Sequence, residues 1–298
     1  MSDTRRGLVC ALMAVILWGL FPAYWKWLEH VDSVEVLMHR NIWCVVVLLC
    51  VVVVSMRRRS SVLEVLRSPR VFALHGLSGA LVGFNWGLYI WSVANERVVE
   101  ASLGYFLAPL FSVALGAIVL GETLNRVQQL AVALAALGVA IIAIGSDTLP
   151  WIGIGLGVSF GFYGLLRKRA PTGPVSGLFL ETLALVPISI AWLAWQFNAG
   201  DNAFAAGDAL TTGLLLGGGL VTALPLLAYG VGARSLPLGL LGILFYITPS
   251  LQFLLGWLLY DEPISTAHWI GFAAIWTGLF AFSASALNVS YAKTRVPT

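Results

Sequence analysis

The sequence predicts an all-α membrane protein of ten transmembrane helices, arranged as two inverted five-helix repeats, and three observations carry that prediction. Hydrophobic residues make up 59% of the 298 residues, charged residues only 10%, and the mean hydropathy is +0.90. That is more apolar surface than a water-soluble core absorbs. The apolar residues fall in ten runs of about 20 residues with short connections, the length that crosses a bilayer. Finally, the stretch from Gly104 to Glu122 occurs again from Leu244 to Glu262: Pro109 answers to Pro249, Gly116 to Gly256, Glu122 to Glu262 and, further on, Gly138 to Gly278, all at one constant offset.

The first span, Gly7 to Leu28, follows Arg5 and Arg6 and so has the opening of a signal peptide. It is too long for one, lacks a small-residue cleavage site and carries Trp18, Pro22 and Trp25; a retained helix is expected. Spans follow at Val34–Ser55, Val71–Ala94, Glu100–Gly121 and Asn125–Ile144. A second set runs Pro150–Leu166, Ser176–Gln196, Thr211–Gly232, Leu238–Leu259 and Thr266–Leu287. The interior prolines Pro109 and Pro249 each remove a backbone donor and press on the carbonyl a turn back, so both copies should bend at matching places. Cys10, Cys44 and Cys50 lie inside apolar spans without metal or redox spacing and are expected as buried packing residues.

Five spans precede the second half, and an odd number returns the repeat to the membrane with opposite polarity. Residues 1–146 are therefore predicted as one repeat and 147–298 as its inverted partner. Two such bundles, related by an axis in the membrane plane, can exchange conformations and open a shared site to either side. The basic residues sort with this topology. Arg57, Arg58, Arg59, Arg67 and Arg70 share one connection, and Arg167, Lys168 and Arg169 another. Arg5, Arg6, Arg126, Arg234, Lys293 and Arg295 fall on the same side, against only Lys26 and Arg97 opposite, which places both termini in the cytoplasm.

Several short motifs stand out: WGLFPAYWK at 18–26, HRNIW at 39–43, NWGLYIW at 85–91, EASLGYF at 100–106, FYGLLRK at 162–168 and ETL at 181–183. On these, over essentially the whole chain, the sequence resembles the RarD family of EamA-type proteins in the drug/metabolite transporter superfamily. The resemblance implies a ten-helix bacterial inner-membrane transporter of small metabolites or drugs, a family associated by name with chloramphenicol sensitivity.

Glycines one turn apart (Gly79, Gly83 and Gly87; Gly153, Gly157 and Gly161; Gly213 and Gly217) should form grooves for neighbouring backbones, since lipid supplies no hydrophobic drive between helices. On the third span Ser78, Asn85, Tyr89 and Ser92 share a face, and on the fourth Ser102, Tyr105, Pro109 and Ser112 do; Thr222, Pro225, Tyr229, Phe245, Pro249 and Gln252 mirror them. These stripes are expected to line a cavity, although serines and threonines can also bond back to their own helix. Asn85, Trp86, Tyr89, Tyr105, Tyr163, Tyr246 and Gln252 are the candidate substrate-binding residues, Trp86 by stacking and the tyrosines by their polar tips.

His39, Arg40 and Glu181 lie inside spans, where a charge costs about 2.5–3.5 kcal/mol unless it meets a partner or a wet cavity. Glu181 is the candidate for binding a proton or cationic group, and Arg40 or His39 for binding a carboxylate or phosphate. The alternative is that Arg40 pairs with an acid such as Glu35 or caps carbonyls. Glu122 and Glu262, at helix ends, read as structural.

The function expected is proton-coupled export by alternating access, with uncoupled facilitation of zwitterions as the rival. No nucleotide motif is present, and no cofactor, metal or nucleic-acid partner is expected; the partners are the lipid bilayer and a small-molecule substrate. An intramembrane enzyme would need clustered catalytic residues, and no HisGluXaaXaaHis, paired intramembrane aspartates or GlyXaaSerXaaGly turn occurs. Nothing in the sequence chooses between a monomer and a homo-oligomer.

Overall fold

Backbone N–H and C=O groups in hydrocarbon have no water to bond, so apolar runs of this length must satisfy them internally, as helices. A computed structural model describes residues 3–120, 124–145, 149–204, 208–236 and 238–294. Among these residues there is no strand. Seven helices are long and apolar enough to cross a membrane, and three shorter apolar ones cover Trp151–Arg167, Ile247–Leu259 and Thr266–Phe282.

The first span is two helices, not one: α1 (Asp3–Gly19) and α2 (Phe21–Lys26). Pro22 falls in the first turn of α2, where its missing N–H has no intrahelical partner to lose. α3 (Ser33–Val53) starts on Asp32, whose carboxylate accepts from the Val34 and Glu35 N–H groups. The basic connection that follows contains α4 (Met56–Leu66), which the span pattern does not show. It buries Val62 and Val65 against Cys44, Leu48 and Phe179 and leaves Arg57 and Arg59 exposed. α5 (Pro69–Ala94), α6 (Val98–Leu120), α7 (Arg126–Gly145), α8 (Trp151–Arg169), α9 (Pro174–Ala199) and α10 (Ala209–Ser235) match the expected spans.

The two repeated stretches are not bent alike. Pro109 sits inside an unbroken α6, whereas the ninth span divides at Tyr246 into α11 (Leu238–Phe245) and α12 (Ile247–Leu254), then closes in a π-type turn over Leu255–Leu259. Pro249 is the third residue of α12, so the break at Tyr246 falls in the turn before it, where the ring presses on the carbonyl and the N–H is missing. α13 (Thr266–Thr294) is the last described helix. Glu122 lies outside the described residues.

α1 packs on α10 and α12, α3 on α9 and α10, α5 on α8 and α9, α6 on α8 and α12, and α7 on α13. Glycine lets these backbones approach. A Cβ at Gly79 would lie 2.5 Å from the Glu181 carbonyl oxygen, and one at Gly104 2.7 Å from the Gly153 oxygen. Gly213 meets nothing within 4 Å, so its half of the expected groove is absent. Of the cysteines only Cys44 is buried; Cys10 is half-buried and Cys50 exposed, contrary to the expectation for all three. Large apolar side chains such as Ile118, Ile144, Ile188 and Phe280 face outward, where hydrocarbon would cover them. Trp257, Trp269 and Trp276 pack as a group around Phe253.

Candidate functional site

Arg40 is seven residues into α3, roughly 10 Å along its axis. Its guanidinium is ringed by aromatic faces: the Trp86 centroid at 4.1 Å, Trp25 at 5.2 Å and Phe21 at 5.8 Å. Nε donates to Thr222 Oγ1 at 2.9 Å, while Nη1 is buried with no hydrogen-bond partner. The alternative pairing with Glu35 is not formed. Glu35 accepts instead from the Ala203 and Phe204 N–H groups and from Gln196 Nε2, tying the α9–α10 connection to α3. Among the described residues no carboxylate lies within 4.0 Å of the Arg40 guanidinium. His39 points elsewhere: Trp43 Nε1 donates to its Nδ1 at 3.3 Å, and its ring stacks on Phe204. Trp86, expected to stack on a substrate, carries the protein's own cation on one face.

Asn85, Tyr89 and Tyr105 come together beside this group. Asn85 Nδ2 donates to the Leu156 carbonyl and to Ser159 Oγ, both at 2.9 Å, and its Oδ1 accepts from the Tyr105 hydroxyl at 3.2 Å. The side chain thereby ties α5 to α8 and α6, with every donor engaged. The Tyr89 hydroxyl, buried, has no partner. From Tyr89 a line of ring contacts runs through Tyr105 (5.6 Å) and Phe160 (6.2 Å) to Tyr163 (5.8 Å). Phe160 also faces Phe245, which meets Trp18.

The line ends at Glu181, seven residues into α9 and wholly buried. Ser78 Oγ donates to Oε1 at 3.0 Å, Tyr163 to Oε2 at 3.1 Å and Arg167 Nη1 to Oε1 at 3.3 Å; His75 Nδ1 is 3.8 Å away. Side chains from α5 and α8 thus converge on one carboxylate of α9. His75 was legible as a titratable residue inside the third span, four positions before the glycine that meets α9, and Arg167 as the cation fourteen residues before Glu181. Neither was singled out by span composition alone.

Besides His39, two candidates join neither group. Gln252 donates to the Trp18 carbonyl at 3.2 Å, linking α12 to α1, and Tyr246 packs against the cluster containing Phe106 and Phe272. Ser92, Ser102 and Ser112 bond back to carbonyls of their own helices, so the polar stripes are narrower than their spacing suggests. Glu262 caps α6: its two oxygens accept from the Val98 and Val99 N–H groups at 2.6 and 2.7 Å. Burial pushes its carboxyl up, against the two backbone donors that hold it down.

A cleft of about 320 Å³ opens on the apolar surface between α3, α5 and α9. Exposed Phe84 and Ile188 stand among its lining residues, Asn41 and Ser189 are its polar groups, and Trp86 forms part of its wall.

Membrane-length helices that gather their charged and amide groups inside the bundle define a multi-pass membrane protein, and known proteins say of which kind. Residues 5–144 match the EamA-like transporter family. The chain is 40% identical to Protein RarD of Streptomyces exfoliatus over 97% of its length and 91% of that protein. It is 41% identical to an uncharacterized transporter of Vibrio cholerae over 99% and 97% of the two chains, and 33% identical to the chloramphenicol-sensitive protein RarD of Pseudomonas aeruginosa over 93% of each. A solved crystal structure shares the fold at a TM-score of 0.57, with 21% identity over 92% of this chain and 96% of that one. The chain belongs to the RarD family of EamA-type transporters.

Proposed function

We propose that the protein moves small metabolites or drugs across the bacterial inner membrane by alternating access, with residues 1–146 and 147–298 as inverted five-helix repeats. The three shorter apolar helices bring the crossings to ten. The packing supports the symmetry. Exchanging each span for the one five places on turns α1 on α10 into α8 on α5, α3 on α10 into α9 on α5, and α6 on α8 into α12 on α1. The pairs α3–α9, α6–α12 and α7–α13 map onto themselves. The sorting of basic residues supports cytoplasmic termini.

The coupling part rests on one observation, the convergence of α5 and α8 on buried Glu181 of α9. A carboxylate whose partners stand on different helices loses them when those helices separate, and an unpaired carboxylate in hydrocarbon takes a proton. Such a cycle couples movement to protons, and export in exchange for protons is the direction we propose. Uncoupled facilitation is favoured instead by Arg167, which neutralises Glu181 without a proton. Proteoliposomes loaded with a bacterial metabolite extract, with efflux read by mass spectrometry, separate the two. Proton coupling requires that an imposed pH gradient accelerate wild-type efflux and that Glu181→Gln abolish the acceleration. Efflux indifferent to the gradient removes the proton role.

A further inference from the structure

Among the described residues, the buried and half-buried carboxylates of the bundle are all answered. Glu181 has Arg167, Ser78 and Tyr163; Glu35 has two backbone N–H groups and Gln196; Glu262 has two backbone N–H groups; Glu100 accepts from the Ile152 N–H and faces Arg97. Arg40 is treated differently. A guanidinium has five N–H donors, and this one, 3% exposed, uses a single one of them, on Thr222. Cation–π contact offsets part of the desolvation but supplies no counter-charge. The Tyr89 hydroxyl is a second buried donor without an acceptor. Unmet donors around an uncompensated cation describe the complement of an anion.

We infer that Arg40 binds the carboxylate of the transported molecule, a small monocarboxylate with an apolar or aromatic body. The inference deepens the transport reading and rests on it for the identity of the ligand as cargo. The planar fork of arginine matches the two coplanar oxygens of a carboxylate, and Tyr89 adds a neutral donor. The surroundings specify the rest. Phe21, Trp25 and Trp86 enclose the guanidinium, and the surface cleft that reaches Trp86 is lined by carbon apart from Asn41 and Ser189. A polyanion would bring charges that this enclosure does not meet. Trp86, with Arg40 on its ring and the cleft against it, is the wall such a molecule must pass if it enters from the membrane side.

The test uses the full chain in lipid nanodiscs, with benzoate and its neutral counterpart benzamide as probes, read by tryptophan fluorescence and by the thermal midpoint. The expected result is saturable binding of benzoate at least tenfold tighter than benzamide. Arg40→Met should unfold at the same or a higher temperature, because a site kept for a ligand carries its charge at the expense of the empty protein, and should lose the preference. Arg40→Lys keeps charge without the planar fork and should retain only part of it. Equal binding of the two probes, no binding of either, or an Arg40→Met protein that is less stable than wild type overturns the proposal. Flux of labelled benzoate in proteoliposomes separates this from the transport reading. Binding through Arg40 without flux overturns transport and leaves the anion site, whereas flux unchanged in Arg40→Met overturns the anion site and leaves transport.

Discussion

At the scale of single residues, the informative contrast is between a charge that is paired and one that is not. Removing one member of a buried pair leaves the other uncompensated, at a cost of about 3 kcal/mol or more. Arg167→Ala should therefore lower the stability of the protein in nanodiscs by that order, and adding Glu181→Gln should recover much of the loss, a coupling that thermal unfolding of the double variant reads directly. Asn85 shows why residue type was legible and role was not. An amide in a membrane helix had to have partners, but only the arrival of α8 and α6 at its face decided that those partners are protein atoms. Asn85→Ala should cost about 1–2 kcal/mol of stability. A variant as stable as wild type would show that this network holds nothing together.

Among the helices, close approach and capping decide the geometry. A methyl group at Gly79 would press on the Glu181 carbonyl, so Gly79→Ala should push α5 from α9, cost about 1–3 kcal/mol and weaken the Ser78 bond to Glu181. Thermal unfolding checks the first effect, and the pH response of efflux the second. Glu262 holds the first turn of α6 from a connection 164 residues away, and Glu262→Ala should destabilise by about 2 kcal/mol through two orphaned donors. Asp208, at the start of α10, is a simpler cap. The Thr211 hydroxyl and then the Thr211 and Leu210 N–H groups hold its carboxyl below the usual range. A depressed acid contributes stability above its unfolded pKa and loses it as pH falls through the folded one. The cap should accordingly persist through mildly acidic conditions, and Asp208→Ala should narrow the difference between unfolding at pH 6 and at pH 3.

For the molecule as a whole, proline shows the limit of pattern. Both copies of the repeated stretch carry one at the same place, yet only the second copy breaks nearby, and three residues earlier than the proline. Proline states where a donor is missing; whether the helix must yield there depends on what packs against it. Helix existence and the loop positions of most charges follow from the chain alone, because hydrocarbon demands apolar runs of fixed length with their backbones paired. The membrane class and the family were likewise written in composition and in motifs such as those around Trp18 and Asn85. Tertiary structure alone decided which intramembrane charges cancel. Glu181 and Arg167 meet across two helices, and Arg40 meets only rings and one hydroxyl. Spacing along a helix orders side chains around one axis, and neutralisation depends on which axes come together, a property of the assembled bundle that no single span contains.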